Sequence, residues 1–246
     1  MSAAVVVTGA AQGIGRGIAA RLARDGRTVW CLDVDAPGVE ASAAELRSDG
    51  ADVHALPCDV GDSAAVLAAW RHLDDHDVQV AALVNNAGIF HRGPALDVAP
   101  EDWDRVLSVN LSGGFRMAQE AARRLIARGE PGAIVSVASG QAFRPAPRGA
   151  AYAASKAGLV NLGRALAAEW GPLGIRVNTV VPGLTDTAQP RAEKDDDDFA
   201  AAAASTPLRR LSRPEDVAAM VAFLLSDEAS AVTGQAFAVN AGRVML

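Results

Sequence analysis

The chain has 246 residues, 50% of them hydrophobic and 21% charged, the make-up of a globular protein rather than a disordered one. Its net charge of −6 comes without any basic block. That argues against nucleic acid or an anionic membrane surface as a partner, and no apolar run is long enough to span a bilayer.

The opening MSAAVVVTGA lacks the basic stretch that precedes the apolar part of a secretory signal and reads as a first strand entering a glycine loop. Short β-branched runs at 3–8, 28–33, 52–57, 80–85, 133–138, 176–181 and 235–240 alternate with helical patterns. After the first loop, Ile14, Ile18 and Leu22 mark one helix face by their i, i+4, i+8 spacing. Pro100 followed by Glu101 and Asp102 is a helix start with acids at the positive end of the dipole. Ser212 and Glu215 have the spacing of a capping box before the apolar run at 217–225.

Strand–helix alternation over the whole chain predicts an α/β fold of the Rossmann type: one domain over 1–246, a doubly wound seven-stranded parallel sheet with helices on both faces. The irregular stretch at 184–211 holds Pro190, Pro207 and four aspartates at 195–198, and it reads as a substrate lid. The aspartates themselves read as a solvated helix start. Cys31 and Cys58 sit in apolar surroundings, with no CxxC and only four histidines. They read as buried free thiols of a cytoplasmic protein, and no metal-site spacing is present.

The segment TGAAQGIG at 8–15 follows an apolar strand and opens an amphipathic helix. Gly9, Gly13 and Gly15 let the backbone approach a pyrophosphate, and the helix N-terminus supplies N–H donors. Asp33 ends the second strand about 20 residues past the loop, where a carboxylate bonds the adenosine ribose hydroxyls and repels a 2′-phosphate. With no Arg or Lys beside it, NAD is favoured over NADP.

The only tyrosine, Tyr152, is followed four positions later by Lys156, so the two share a helix face. An ammonium near the phenol is expected to lower its pKa towards neutrality, which suits proton exchange with an alcohol or carbonyl. Ser139, at the end of the strand at 133–138, lies where parallel strands face a ligand crevice and can hydrogen-bond the same substrate oxygen.

Taken together, TGAAQGIG, Asp59-Val60 after the third strand, NNAG at 85–88, Asn110, the Ser139/Tyr152/Lys156 set and Pro182-Gly183 after the sixth strand resemble the short-chain dehydrogenase/reductase family over essentially the whole length. The resemblance implies that Tyr152 is the general acid/base, that Lys156 lowers its pKa and bonds the nicotinamide ribose, and that Ser139 polarises the substrate oxygen. Asn110 would support a water chain to Lys156. Gly9, Gln12, Gly13, Ile14 and Gly15 would hold the pyrophosphate. Asp59 and Val60 would border the adenine, and Asn86, Ala87 and Gly88 would line the cleft. Pro182, Gly183, Thr185 and Thr187 would lie at the nicotinamide, with Thr187 on its carboxamide. Thr185 departs from the aliphatic residue more common there, and VNAG at 239–242 departs from a VDGG-like ending. A homotetramer is implied, with helices over 101–128 and 152–171 at one interface.

The reaction implied is NAD-linked interconversion of a secondary alcohol and a ketone. Phe90, His91, Gln141, Phe143, Arg144 and Arg148 are left to choose the substrate: His91 and Gln141 suit a hydroxylated molecule, Arg144 and Arg148 an anionic one. A polyol, sugar or similar small molecule is the favoured substrate, and a 3-oxoacyl thioester is the alternative. A catalytically silent dinucleotide-binding protein is disfavoured, because Asn110, Ser139, Tyr152 and Lys156 are all present.

Overall fold

The computed structural model describes residues 3–191 and 195–245 (backbone only at 189 and 190). In chain order its elements are β1 (Ala4–Thr8), α1 (Gly13–Arg24), β2 (Val29–Asp33), α2 (Ala36–Ser48), β3 (Val53–Pro57), α3 (Ser63–Asp75), β4 (Val80–Asn85) and α4 (Pro100–Leu107). They continue with α5 (Gly114–Arg128), β5 (Gly132–Val137), α6 (Ala150–Trp170), β6 (Ile175–Pro182), α7 (Ala188–Arg191), α8 (Asp196–Ala204), α9 (Pro214–Leu225) and β7 (Ala236–Val239). All seven expected strands form, each within a residue or so of its expected bounds.

The strands make one parallel sheet in the order β3-β2-β1-β4-β5-β6-β7. Its inner strands are buried on both faces, which is why β1 is apolar up to its last residue, Thr8. Val5 and Val7 point into one core with Ile18 and Leu22 of α1, Val39 of α2 and Val217, Val221 and Leu224 of α9. Ala4 and Val6 point into the other with Trp70 and Leu73 of α3, Met117 and Leu125 of α5 and Leu166 and Trp170 of α6. This is the period-2 alternation of a strand covered by helices on each side. Trp70 is fully buried, and truncating such a side chain costs about 3–5 kcal/mol. Between β1 and β4 the strand order reverses, and the C-terminal ends of the strands there open a crevice.

Two local expectations are corrected. The segment expected as one helix over 101–128 is interrupted by a π-helical stretch, Ser108–Gly113, between α4 and α5; such widened turns are typical of functional positions in helices, and this one carries Asn110. The box before α9 is shifted by one residue. The Asp216 carboxylate accepts from the Arg213 N–H at 2.8 Å, whereas the Ser212 hydroxyl donates to the Val239 carbonyl at 2.9 Å and its backbone bridges to Thr185. Ser212 therefore ties the helix start to β7 instead of capping it.

The segment at 184–211 is not structureless: it contains α7 and α8. As expected, the aspartates open α8, with Asp195 accepting from the Asp198 N–H at 2.9 Å; positions 192–194 of that segment lie outside the described residues. Among the described residues no helix is long and apolar enough to cross a membrane.

Candidate active site

The nucleotide end of the crevice is shaped mainly by backbone. Gly9 and Gly13 have φ of +66° and +58°, which residues with a Cβ rarely adopt. A Cβ on Gly9 would also lie 2.8 Å from the Ala87 Cα. No side chain caps the start of α1, so its first N–H groups are available to an anion. Gln12 is exposed at that N-cap, while Ile14 packs partly against the core. Gly13 faces Thr187 across a narrow gap, a Cβ there standing 3.4 Å from the threonine side chain.

Asn86 braces this loop. Its amide donates to the Thr8 and Gly9 carbonyls at 3.0 Å each, and the Thr8 hydroxyl accepts from the Asn86 and Ala87 N–H groups at 3.0 and 3.1 Å. Asp33 is held by N–H donors from Ala11 at 3.0 Å and Asp35 at 3.1 Å. The carboxylate is thereby fixed between the end of β2 and the glycine loop. Arg16, the first cation of α1, is paired with Glu45. Asp59 accepts from the Gly61 N–H at 2.8 Å and from Arg105 at 3.1 Å, and Val60 beside it is buried. A glycine cradle that a Cβ would fill, an uncapped helix start and a fixed carboxylate fit a dinucleotide.

At the other end, β5 ends one residue before Ala138 and Ser139, and α6 begins at Ala150, so Tyr152 and Lys156 lie in its first two turns. Tyr152 is half-buried and Lys156 is 3% exposed. The Ser139 hydroxyl is hydrogen-bonded to the phenol and also accepts from the Gln141 N–H at 3.2 Å. Lys156 Nζ donates to the Val137 carbonyl at 2.9 Å and lies 5.7 Å from the centre of the Tyr152 ring.

Burial pushes the phenol up in pKa, and the Ser139 hydrogen bond pulls it partly back. Burial pushes the Lys156 ammonium down, to about 8. The expected lowering of the phenol by Lys156 is thus not met by these two side chains alone: desolvation dominates both, and the ammonium is turned towards a backbone carbonyl.

The amide of Asn110 is engaged rather than aimed at Lys156. Its Oδ1 accepts from the Ile89 N–H at 2.8 Å, and its Nδ2 donates to the Ile89 carbonyl at 2.9 Å and to Ser155 Oγ at 3.1 Å. Ser155 in turn donates to the Tyr152 carbonyl at 2.7 Å. Asn110 therefore positions the strand-4 loop against α6. Ser155 was not singled out in the sequence; its place one residue before Lys156, on the buried side of α6, is the only signal it gave. Gly88 is bounded by both Lys156 and Asn110, a Cβ there lying 3.3 Å from Nζ and 3.4 Å from Oδ1. Thr185 is buried and donates to the Gly183 carbonyl at 3.2 Å; Gly183 follows Pro182 and donates its N–H to the Val239 carbonyl at 3.1 Å.

The substrate candidates divide. Phe90 packs on Tyr152 with ring centres 4.6 Å apart, and Gln141 lies against Gly149 on the same wall, a Cβ on Gly149 being 3.2 Å from Gln141 Oε1 and 3.4 Å from Phe90 Cζ. His91 is drawn instead to Asp102, at 3.6 Å. Phe143 is 38% exposed. Arg148 is exposed with a left-handed φ of +64°, and its carbonyl accepts from the Gly93 N–H at 3.0 Å, joining the two loops that follow β4 and β5.

A family model described as enoyl-(acyl carrier protein) reductase matches residues 9–243. D-threitol dehydrogenase of Mycolicibacterium smegmatis is 38% identical, over 96% of this chain and 91% of that protein. 2-(S)-hydroxypropyl-CoM dehydrogenase 3 of Xanthobacter autotrophicus is 37% identical, over 97% and 95%. A solved structure assigned as an NAD(P)-dependent gluconate 5-dehydrogenase from Beutenbergia cavernae, with NADP at low occupancy, superposes with a TM-score of 0.93 at 39% identity, over 98% of this chain and 96% of that one. With the glycine cradle and the Ser139–Tyr152–Lys156 cluster at one crevice, these likenesses agree: the chain belongs to the short-chain dehydrogenase/reductase family, and it is an oxidoreductase that acts on CH–OH groups of small molecules with a nicotinamide cofactor.

Proposed function

We propose that this protein is an NAD(H)-dependent dehydrogenase that interconverts a secondary alcohol and a ketone on a polyol, sugar or similar small hydroxylated substrate. The observation that carries the cofactor choice is Asp33, whose carboxylate is fixed by two backbone N–H groups at the ribose end of the crevice; a 2′-phosphate placed there meets a like charge. The hydroxylated substrate is supported by the names of two relatives, a threitol and a gluconate dehydrogenase, and by the polar Gln141 beside Tyr152.

When bound, the nicotinamide accepts or gives the hydride, and its oxidised form brings a positive charge that favours the phenolate. In the oxidation direction, Tyr152 takes the hydroxyl proton as the carbon loses its hydride. The Ser139 hydroxyl holds the same oxygen as its double bond to carbon forms. Lys156, buried and bonded to the Val137 carbonyl, would bond the nicotinamide ribose. Asn110 and Ser155 hold α6 and the loop after β4 in register. Gly9, Gln12, Gly13, Ile14 and Gly15 contribute the pyrophosphate cradle, chiefly through backbone. Asp59, Val60, Ala87 and Gly88 form the adenine side and floor of the cleft, and Pro182, Gly183, Thr185 and Thr187 its nicotinamide side.

The protein acts as a homotetramer in the cytoplasm. Exposed Trp103, Phe115 and Ile126 on α4 and α5 support self-association through that face, and the free, buried Cys31 and Cys58 suit a reducing compartment.

The test is NAD⁺ and NADP⁺ reduction across polyols, sugars, cyclic diols and simple secondary alcohols, with 3-oxoacyl thioesters run in reverse. Turnover of a hydroxylated alcohol with NAD⁺ preferred supports the proposal. Activity confined to thioesters, or a preference for NADP⁺, overturns it.

A further inference from the structure

Among the described residues, three buried side-chain polar atoms have no hydrogen-bond partner: Trp70 Nε1, Gln141 Oε1 and Arg243 Nη1. Buried polar atoms are normally paired, and an exception asks for an explanation. Trp70 lies in the core beneath the Arg124 guanidinium, 4.9 Å from its ring. The other two lie in the segments that follow β5 and β7, and they are of opposite kind, one acceptor and one donor.

Gln141 follows Ser139 by two residues and shares a wall with Phe90 and Tyr152. Arg243 comes from the turn after β7. That turn is fixed by Asn240, whose Oδ1 accepts from the Gly242 and Val244 N–H groups at 3.1 and 3.3 Å and whose Nδ2 donates to the Val244 carbonyl at 3.0 Å. Ala241 in it is held at a φ of +54°, a conformation that costs a residue with a Cβ and persists where the surroundings impose it. The turn packs on the Ser139 loop: a Cβ on Gly140 would sit 3.2 Å from Val244 Cγ2. For Arg144, exposed at the far end of that loop, partial desolvation first and the Arg243 charge second hold the pKa below the usual guanidinium range. A guanidinium with a buried, unpaired N–H, in a turn packed on the Ser139 loop, suits an oxyanion, which its fork bonds with good geometry.

We propose that the substrate carries an oxyanion, a carboxylate or a phosphate at the end of a hydroxylated chain, held by Arg243, with Gln141 Oε1 accepting one of its hydroxyls. This rests on the secondary-alcohol reading above and narrows it to hydroxy acids or hydroxy phosphates. The chemistry at carbon is unchanged; the anion fixes which hydroxyl faces Tyr152.

The test uses a matched set of one alditol, the aldonate of the same chain length and the alditol phosphate, with NAD⁺ and the full-length protein. The wild type is expected to favour one of the two anions over the alditol, and which one separates carboxylate from phosphate. Arg243→Met is expected to lower the ratio of kcat/KM for that anion over the alditol by about ten- to a hundredfold, the scale of a lost charge-assisted hydrogen bond, mainly through KM, and Arg243→Lys to restore part of it. A wild type that prefers the alditol, or a ratio unmoved by Arg243→Met, overturns the inference and leaves the alcohol dehydrogenase reading standing. If no member of the set turns over, the polyol reading fails separately. Binding of the aldonate and the alditol phosphate to the NADH-loaded protein then decides: either one weakened at least tenfold by Arg243→Met supports the anion site, and equal or absent binding of both overturns it.

Discussion

The two ends of the crevice are built differently. The nucleotide end is mostly backbone: two glycines at positive φ and an uncapped helix start, braced by the Asn86 amide and the Thr8 hydroxyl, with Asp33 locked by N–H groups. The proposed substrate end is side chains carried on irregular segments, Phe90 after β4, Gln141 after β5 and Arg243 in the turn after β7. A backbone site tolerates few substitutions and serves one ligand. A side-chain site on loops can be rewritten without disturbing the sheet, which is how one fold takes many substrates.

Substitutions can break this contrast or sharpen it. The largest effect is expected at the nucleotide end. Gly9→Ala forces a Cβ into a left-handed backbone and to within 2.8 Å of Ala87 Cα, so NADH binding, followed by fluorescence titration, is lost. Retained affinity would show that the loop can move and that the cradle is not rigid.

The next is on stability. Burial holds Lys156 at about 8 against an ordinary 10.5, so the folded state disfavours the charged form. The resulting penalty is full below pH 8 and fades as pH rises to 10.5, because there the unfolded chain binds more protons. Lys156→Met removes it. Its stability relative to wild type, measured by urea unfolding, is expected to fall by roughly 3 kcal/mol from pH 7.5 to pH 10.5. A difference independent of pH would mean that the lysine is not desolvated.

A smaller effect follows at Asp33. Asp33→Ala is expected to narrow the preference for NAD⁺ over NADP⁺ by about ten- to a hundredfold, the loss of one or two hydrogen bonds to a charged group; an unchanged ratio removes Asp33 from its role. The smallest is a displacement. The Ser139 hydrogen bond lowers the phenol pKa, so in Ser139→Ala the rising limb of the pH profile for alcohol oxidation moves to more alkaline pH. A limb that stays in place would show that Tyr152 is not the group titrating.

The same contrast governs what could be read from the sequence. The sheet was legible because fully buried parallel strands leave continuous β-branched runs such as AVVVT, and the glycine loop was legible because positive φ leaves few choices of residue. Tyr152, Lys156 and Ser139 were legible from spacing, since a shared helix face and a strand end are local geometry. The pKa order of the pair was not, because desolvation depends on everything packed around α6. Nor was the π-helical stretch at Asn110, where the i→i+5 turn carries no distinct composition. The capping of α9 went to Asp216 rather than Glu215 because Ser212 was taken by β7, a contact 27 residues away. Arg243 was invisible for the same reason: only the folded sheet brings the turn after β7 against the loop after β5.

The claim at the centre of this account is that Tyr152 moves the proton while the backbone cradle holds the cofactor. It is tested most directly with Tyr152→Phe, measuring turnover of the best substrate and the Kd for NADH on the same preparation. Turnover is predicted to fall about 10²–10⁴-fold, the usual worth of a positioned acid/base, with Kd changed by no more than about tenfold, since loss of a phenol hydrogen bond is worth only about 0.5–1.5 kcal/mol and the cradle does not depend on it. Turnover within a few fold of wild type would contradict the account.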